Sequence, residues 1–93
     1  MRRMIEFHPA AVAEAEAARD WYAQRSPIAA RAFLSALLQA VDKVAAQPER
    51  WPRFSEGARR YVLPRFPFSL IYRVTQRAIH IIALAHNKRK PGY

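Results

Sequence analysis

The sequence predicts an α+β fold in which a helical hairpin covers one face of a small, mainly antiparallel sheet. Three observations carry this. Two long helical patterns stand next to each other near the N-terminus, and three strand patterns follow in quick succession. Each helix also presents an apolar stripe that needs a partner surface. The predicted order is β-α-α-β-β-β, in one domain over residues 1–93, since a chain of 93 residues is long enough for one core and not for two.

Met4 to Phe7 alternates apolar and polar residues and reads as a first strand. His8-Pro9 stops it, and Pro9 suits the first turn of a helix, where a missing N–H costs nothing. Ala10 to Arg25 is rich in helix formers, with Val12, Ala15, Ala18 and Tyr22 at core spacing. Ser26-Pro27 supplies an N-cap and a second start. The second helix runs from Pro27 to Gln47 on a stripe of Phe33, Leu37, Ala40/Val41 and Val44, widened by Leu34 and Leu38. Residues 48–58, with two prolines and a glycine, read as a loop tied down by Trp51 and Phe54.

Arg59 to Leu63 is the second predicted strand, closed by Pro64. Phe68 to Val74 is the third, with Phe68, Leu70, Tyr72 and Val74 on one face and Ser69, Ile71 and Arg73 on the other. Ala78 to Ala85 is apolar on both faces apart from His80, which marks a central strand. The tail from His86 to Tyr93 is basic and broken by proline.

Charge is the most informative bulk property. Sixteen Lys and Arg against seven Asp and Glu give a net charge of +9. Residues 1–50 hold seven basic and six acidic side chains, whereas residues 51–93 hold nine basic and one acidic, Glu56. The excess is therefore segregated into the C-terminal half, which solubility does not require. A polyanionic target, an acidic partner, or both account for it better. Thirteen of the sixteen are Arg, suited to bidentate contact with phosphate or carboxylate. The absence of cysteine excludes disulfides and thiolate metal sites and fits a reducing cytoplasm. No apolar run is long enough to span a bilayer, so no membrane role is expected.

Arg59, Tyr61 and Arg65 alternate along the second strand, and Arg73 interrupts the third. Turned outward with Lys88 and Lys90 of the tail, Arg59, Arg65 and Arg73 make a cationic face flanked by Tyr61 and Tyr93, suited to phosphate contact and base stacking. A one-residue slip instead sends Arg60 outward in place of Arg59. His80 reads as a packed sheet residue and His8 as a turn residue, while His86, just past a strand end, is either placed for proton transfer or a solvated tail residue. Three histidines without cysteine or a carboxylate pair argue against a metal, and two glycines allow no phosphate-cradling loop, so no cofactor is expected.

The element order, the segment Arg59-Arg60 through Phe66-Pro67-Phe68-Ser69-Leu70-Ile71-Tyr72-Arg73-Val74, and Ile79 to Ala85 followed by His86-Asn87-Lys88-Arg89 resemble the RelE/ParE toxins of type II toxin–antitoxin systems, often called plasmid stabilisation proteins. The resemblance implies a growth-inhibiting cytoplasmic toxin held in a hetero-oligomer by an acidic antitoxin encoded beside it. Its targets are DNA gyrase in ParE-like members and ribosome-bound mRNA in RelE-like members, the latter cleaved without metal. Carried over, the nuclease set is Arg60, His86, Arg89 and Tyr93. Ser69 stands where RelE-like nucleases carry a catalytic Arg, and Val62 where another basic residue is usual, so the chain lies nearer the ParE-like members. The alternatives are the mRNA endonuclease and a non-toxic basic nucleic-acid-binding module.

Overall fold

The computed structural model describes residues 3–88. Its elements are β1 (Met4–Phe7), α1 (Pro9–Ala23), α2 (Pro27–Ala46), β2 (Arg53–Ser55), β3 (Ala58–Val62), β4 (Phe68–Val74) and β5 (Ala78–His86). The five strands form one sheet in the order β1-β5-β4-β3-β2. β1 pairs parallel to β5, and every other pair is antiparallel. The α+β class and the helical hairpin are as the sequence predicts, and β5 is an inner strand.

Both helices start on side-chain caps. His8 is the N-cap of α1, its Nδ1 accepting from the Ala10 N–H at 3.0 Å, with Pro9 behind it. Ser26 does the same for α2, its Oγ accepting from the Ala29 N–H at 3.2 Å. Ser26→Ala is therefore expected to cost about 1 kcal/mol; a denaturation midpoint equal to that of the parent would show that Pro27 and the tight turn alone start the helix.

Phe33, Leu37, Ala40 and Val44 of α2 are all buried, and with Ala11 and Ala18 of α1 they close over Tyr61, Leu63, Leu70, Tyr72, Ile79, Ile81 and Leu84 of the sheet layer. The α1 stripe keeps Ala15, Ala18 and Tyr22 as predicted and departs only at its first position. Ala11 takes the core position and Val12 is exposed, because 11, 15, 18 and 22 follow the helical period that aims Tyr22 at Phe33. Leu34 and Leu38 do not widen the α2 stripe; both are exposed on the flank.

Two further departures lie in the sheet. Residues 53–55, read as loop, form β2, a short edge strand whose pairing with β3 is irregular. A turn at Gly57, with φ of 70°, joins the two. On β5 the register against β4 slips: Ile71 faces Ala83 and Tyr72 faces Ile81, leaving Ile82 as the extra residue of a bulge. The core parity of β5 therefore switches from Ile79 and Ile81 to Leu84.

Candidate functional site on the open sheet face

The helices cover one face of the sheet, so β3, β4 and β5 sort their side chains between a packed face and an open one. Leu70 and Tyr72 face the helices. Their cross-strand partners Tyr61 and Arg59 share that face, because residues directly opposite in an antiparallel pair point the same way. The outward placement of Arg59 and Tyr61 is thus corrected, and the slipped register holds. Arg60 and Val62 face outward with Ser69, Ile71 and Arg73. Tyr61 decides the matter. Its ring is buried edge-on against Trp51, with centroids 4.7 Å apart, and a buried Tyr ring outweighs an Arg that can reach the rim. Arg59 folds back instead, donating from Nη1 to the Trp51 carbonyl at 2.7 Å. It also lies near Tyr72, whose hydroxyl donates to the Pro48 carbonyl at 2.6 Å. Burial pushes the Tyr72 hydroxyl up to about 12, with the Arg59 charge pulling the other way.

On the open face Arg60 is held from two sides. Its Nε donates to Ser69 Oγ at 3.0 Å, and its guanidinium lies 5.5 Å from the ring centroid of Phe54 on β2. Ser69, almost wholly buried, donates in turn to Asn87 Oδ1. Arg73 is exposed on the same face. It stands opposite His80 of β5, which stands opposite Glu6 of β1. His80 Nδ1 and Glu6 Oε1 are 3.2 Å apart. A row of Arg60, Arg73, His80 and Glu6 thus runs across the strands.

The other predicted residues are dispersed. His86 is the partner of Phe68 and so lies on the packed side, its ring edge-on to Phe68 at 5.1 Å and its Nδ1 accepting from the Lys88 N–H at 3.2 Å. It does not meet Arg60. Arg65 is exposed in the β3–β4 turn with a left-handed φ of 70°, beside Lys43 and Gln39 of α2 and away from Arg73. Its place in one outward face with Arg73 is therefore also corrected. Lys88 is exposed in the turn after β5, while Arg89, Lys90 and Tyr93 lie outside the described residues. Among the described residues no group of three His, Cys, Asp or Glu side chains could hold a metal, and no helix is long and apolar enough to cross a membrane.

At the rim of the packed side, a cleft of about 530 Å³ opens between α1 and the ends of β4 and β5, lined among others by Glu14, Trp21, Tyr22, Phe68 and His86. Paired positions on β1 end at Phe7 opposite Ile81, so among the described residues the rest of β5 has one edge without a strand. There Glu14 Oε1 accepts from the Leu84 N–H at 2.8 Å. Glu14→Ala leaves that N–H without its protein acceptor. We expect a loss of about 1 kcal/mol and faster exchange of the Leu84 amide; an unaltered exchange rate would mean that the cap is dispensable.

A helical hairpin on one side of a mixed five-stranded sheet, with Arg60 and Arg73 on the other, defines a small two-layer α+β protein. Residues 5–91 match the family model described as the ParE toxin of type II toxin–antitoxin systems, parDE. The toxin RelE2 of Caulobacter vibrioides is 33% identical over 79 residues, which cover 85% of this chain and 89% of that protein. A solved structure titled as the chromosomal ParDE TA system from P. aeruginosa superposes with a TM-score of 0.67 at 24% identity, over 91% of this chain and 96% of that one, a likeness of fold. The chain belongs to the ParE toxin family, within the RelE/ParE superfamily.

Proposed function

We propose that this toxin arrests growth by binding DNA gyrase in the ParE manner, and that an acidic antitoxin encoded beside it neutralises it. The observation that carries the first part is the separation of the nuclease candidates. Arg60 is on the open face, tied to Ser69 and lying over Phe54, whereas His86 is on the packed face against Phe68. Cleavage by attack of a 2′-hydroxyl needs a base, a charge on the phosphate and an acid within reach of one another. Arg60 and His86 do not converge that way, and Ser69 contributes no charge.

The antitoxin reading rests on the cleft beside α1. Trp21 is 52% exposed there, next to a sheet edge that no strand among the described residues covers, and an extended or helical segment has both an aromatic shelf and backbone groups to bind. A net charge of +9 favours an acidic partner.

Purified protein, freed of antitoxin, is expected to inhibit gyrase supercoiling at micromolar concentration; supercoiling that proceeds normally there rejects the proposal. The endonuclease is kept as a second reading because a 33%-identical relative bears the name RelE2, and because Arg60 and Arg73 share the open face. It requires new RNA 5′ ends at codons in arrested cells, lost in Arg60→Ala.

A further inference from the structure

Ala32, Ala36, Gln39 and Lys43 each stand one residue before a member of the α2 core stripe. They therefore form a second row about 100° round the helix from it. Ala32 and Ala36 put little side chain between this row and the β3–β4 turn, and a cleft of about 200 Å³ remains there. Pro64 and Phe66 give it an apolar wall, and Arg65, between them in sequence, is exposed beside it. None of these residues lines the cleft beside α1.

Three polar groups here lack a partner among the described residues. Tyr61 is 6% exposed, its ring fixed edge-on by Trp51. Its hydroxyl makes no hydrogen bond, yet Trp51 Nε1 is the only buried unpaired side-chain polar atom among the described residues. The hydroxyl therefore reaches the open space of the cleft that Tyr61 lines. Lys43 and Arg65 are exposed, and neither has a carboxylate at ion-pair distance; the ion pairs of the described residues are Arg19–Asp20 and Glu6–His80. Gln39 donates to Ser35 Oγ at 3.4 Å, which uses one of its two amide hydrogens. Arg65 also holds a left-handed φ of 70°, at some cost for so large a side chain. Gly would make that turn without strain, so the turn itself does not call for Arg.

Two cations, a phenol and an amide match the three terminal oxygens and near-double charge of a phosphate monoester better than the two oxygens of a carboxylate. Arg suits bidentate contact with such a group, and Lys adds a point charge. The cleft is smaller than the roughly 300–1,000 Å³ usual for drug-sized ligands, so it takes one end group and a small body. Ala36, Pro64 and Phe66 seat that body. A phosphodiester inside a polymer has chain on both sides and only two free oxygens, and it fits this recess less well.

We propose that Lys43, Arg65 and the Tyr61 hydroxyl, with Gln39 beside them, bind a small organic phosphate monoester in the cleft between α2 and the β3–β4 turn. The inference goes beyond the gyrase and antitoxin readings and depends on neither.

The test is a titration of the full chain, followed by amide NMR at fixed pH and ionic strength, with phenyl phosphate, inorganic phosphate and benzoate. Phenyl phosphate should move the Gln39, Lys43, Arg65 and Phe66 amides and leave that of Leu84, in the other cleft, in place. It should bind about tenfold more tightly than inorganic phosphate, for its apolar body, and than benzoate, for its extra oxygen and charge. Lys43→Gln and Arg65→Asn should each weaken it about tenfold, Asn being tolerated at a left-handed φ. Tyr61→Phe, which keeps the ring on Trp51, should weaken it about fivefold. Arg77→Gln removes one charge from the β4–β5 turn, at the far end of β4, and should keep the parent affinity. The proposal is overturned by no binding of phenyl phosphate, by shifts centred on Leu84, or by benzoate or inorganic phosphate bound as tightly. Parent affinity in any of the three cleft variants overturns it too, as does a loss in Arg77→Gln equal to theirs. Should Tyr61→Phe fail to fold, Lys43→Gln decides, because Lys43 is exposed and its loss leaves the core intact.

Discussion

Phe33→Ala is expected to lower the unfolding free energy by about 3–5 kcal/mol, the usual cost of removing a fully buried aromatic ring. Phe33 is 0% exposed and sits at the centre of an aromatic cluster. Tyr22 stacks on it at 5.3 Å, and Phe66 and Phe68 meet it edge-on at 5.5 and 5.6 Å. The ring thus joins α1, α2 and the β3–β4 turn. Three ring–ring contacts vanish with the side chain, and the rings around the hole are pinned by separate elements, so collapse into it is limited. A domain of this size has roughly 5–15 kcal/mol in total, so the variant should be marginal at 37 °C. Urea denaturation checks this; a loss below about 1 kcal/mol would mean that the cluster closes over the gap and that the packing argument is wrong.

The second large effect is alkaline. The Tyr72 hydroxyl is buried against the Pro48 carbonyl and holds its proton up to about 12, against an ordinary value near 10. The folded chain therefore binds the proton more tightly than the unfolded chain. The stabilisation is fully present below pH 10 and is lost as pH rises through 12. Each unit of difference corresponds to about 1.4 kcal/mol, so the loss is about 2–3 kcal/mol across that window. Tyr72→Phe should cost about 1 kcal/mol at neutral pH, for the unpaired carbonyl, and should lack this part of the alkaline fall. Burial also raises the Tyr22 hydroxyl, but that contribution is common to both proteins. Parallel stability curves for parent and variant from about pH 9 to 11.5 would show that Tyr72 ionises without opening the core.

How much of this was legible in the sequence depends on the range of the interaction. The α2 stripe and β4 were readable because local periodicity alone specifies them; Phe33, Leu37, Ala40 and Val44 repeat at helical spacing, and Phe68 to Val74 alternates without a break. Arg59-Arg60-Tyr61-Val62 was not readable in the same way. Either parity puts one Arg outward, and the choice is made by Trp51, whose ring and carbonyl take Tyr61 and Arg59. β2 has three residues next to a proline, too few for a pattern. The bulge at Ile82 is hidden because Ile81-Ile82-Ala83-Leu84 is apolar in either parity. The clamp on Arg60 joins positions 9 and 18 apart in sequence, and the Glu6–His80 contact joins strands from opposite ends of the chain. A buried Ser within an apolar strand was the one local sign of the clamp. In the family resemblance that Ser marks a missing nuclease Arg, which hides its role as a hydrogen-bonding centre.

The parallel pairing of β1 with β5 also bears on how the protein is made. Met4 has Ala78 as its partner, so the first strand cannot take its place until nearly all of the chain has left the ribosome. For a flexible chain, closing a loop of some seventy residues costs roughly 2–3 kcal/mol more entropy than closing a four-residue hairpin, and such long-range contacts slow folding. During synthesis the helical hairpin emerges first, with Phe33, Leu37 and Val44 exposed and no sheet to receive them. That interval leaves the nascent toxin open to capture before its cationic face has been assembled.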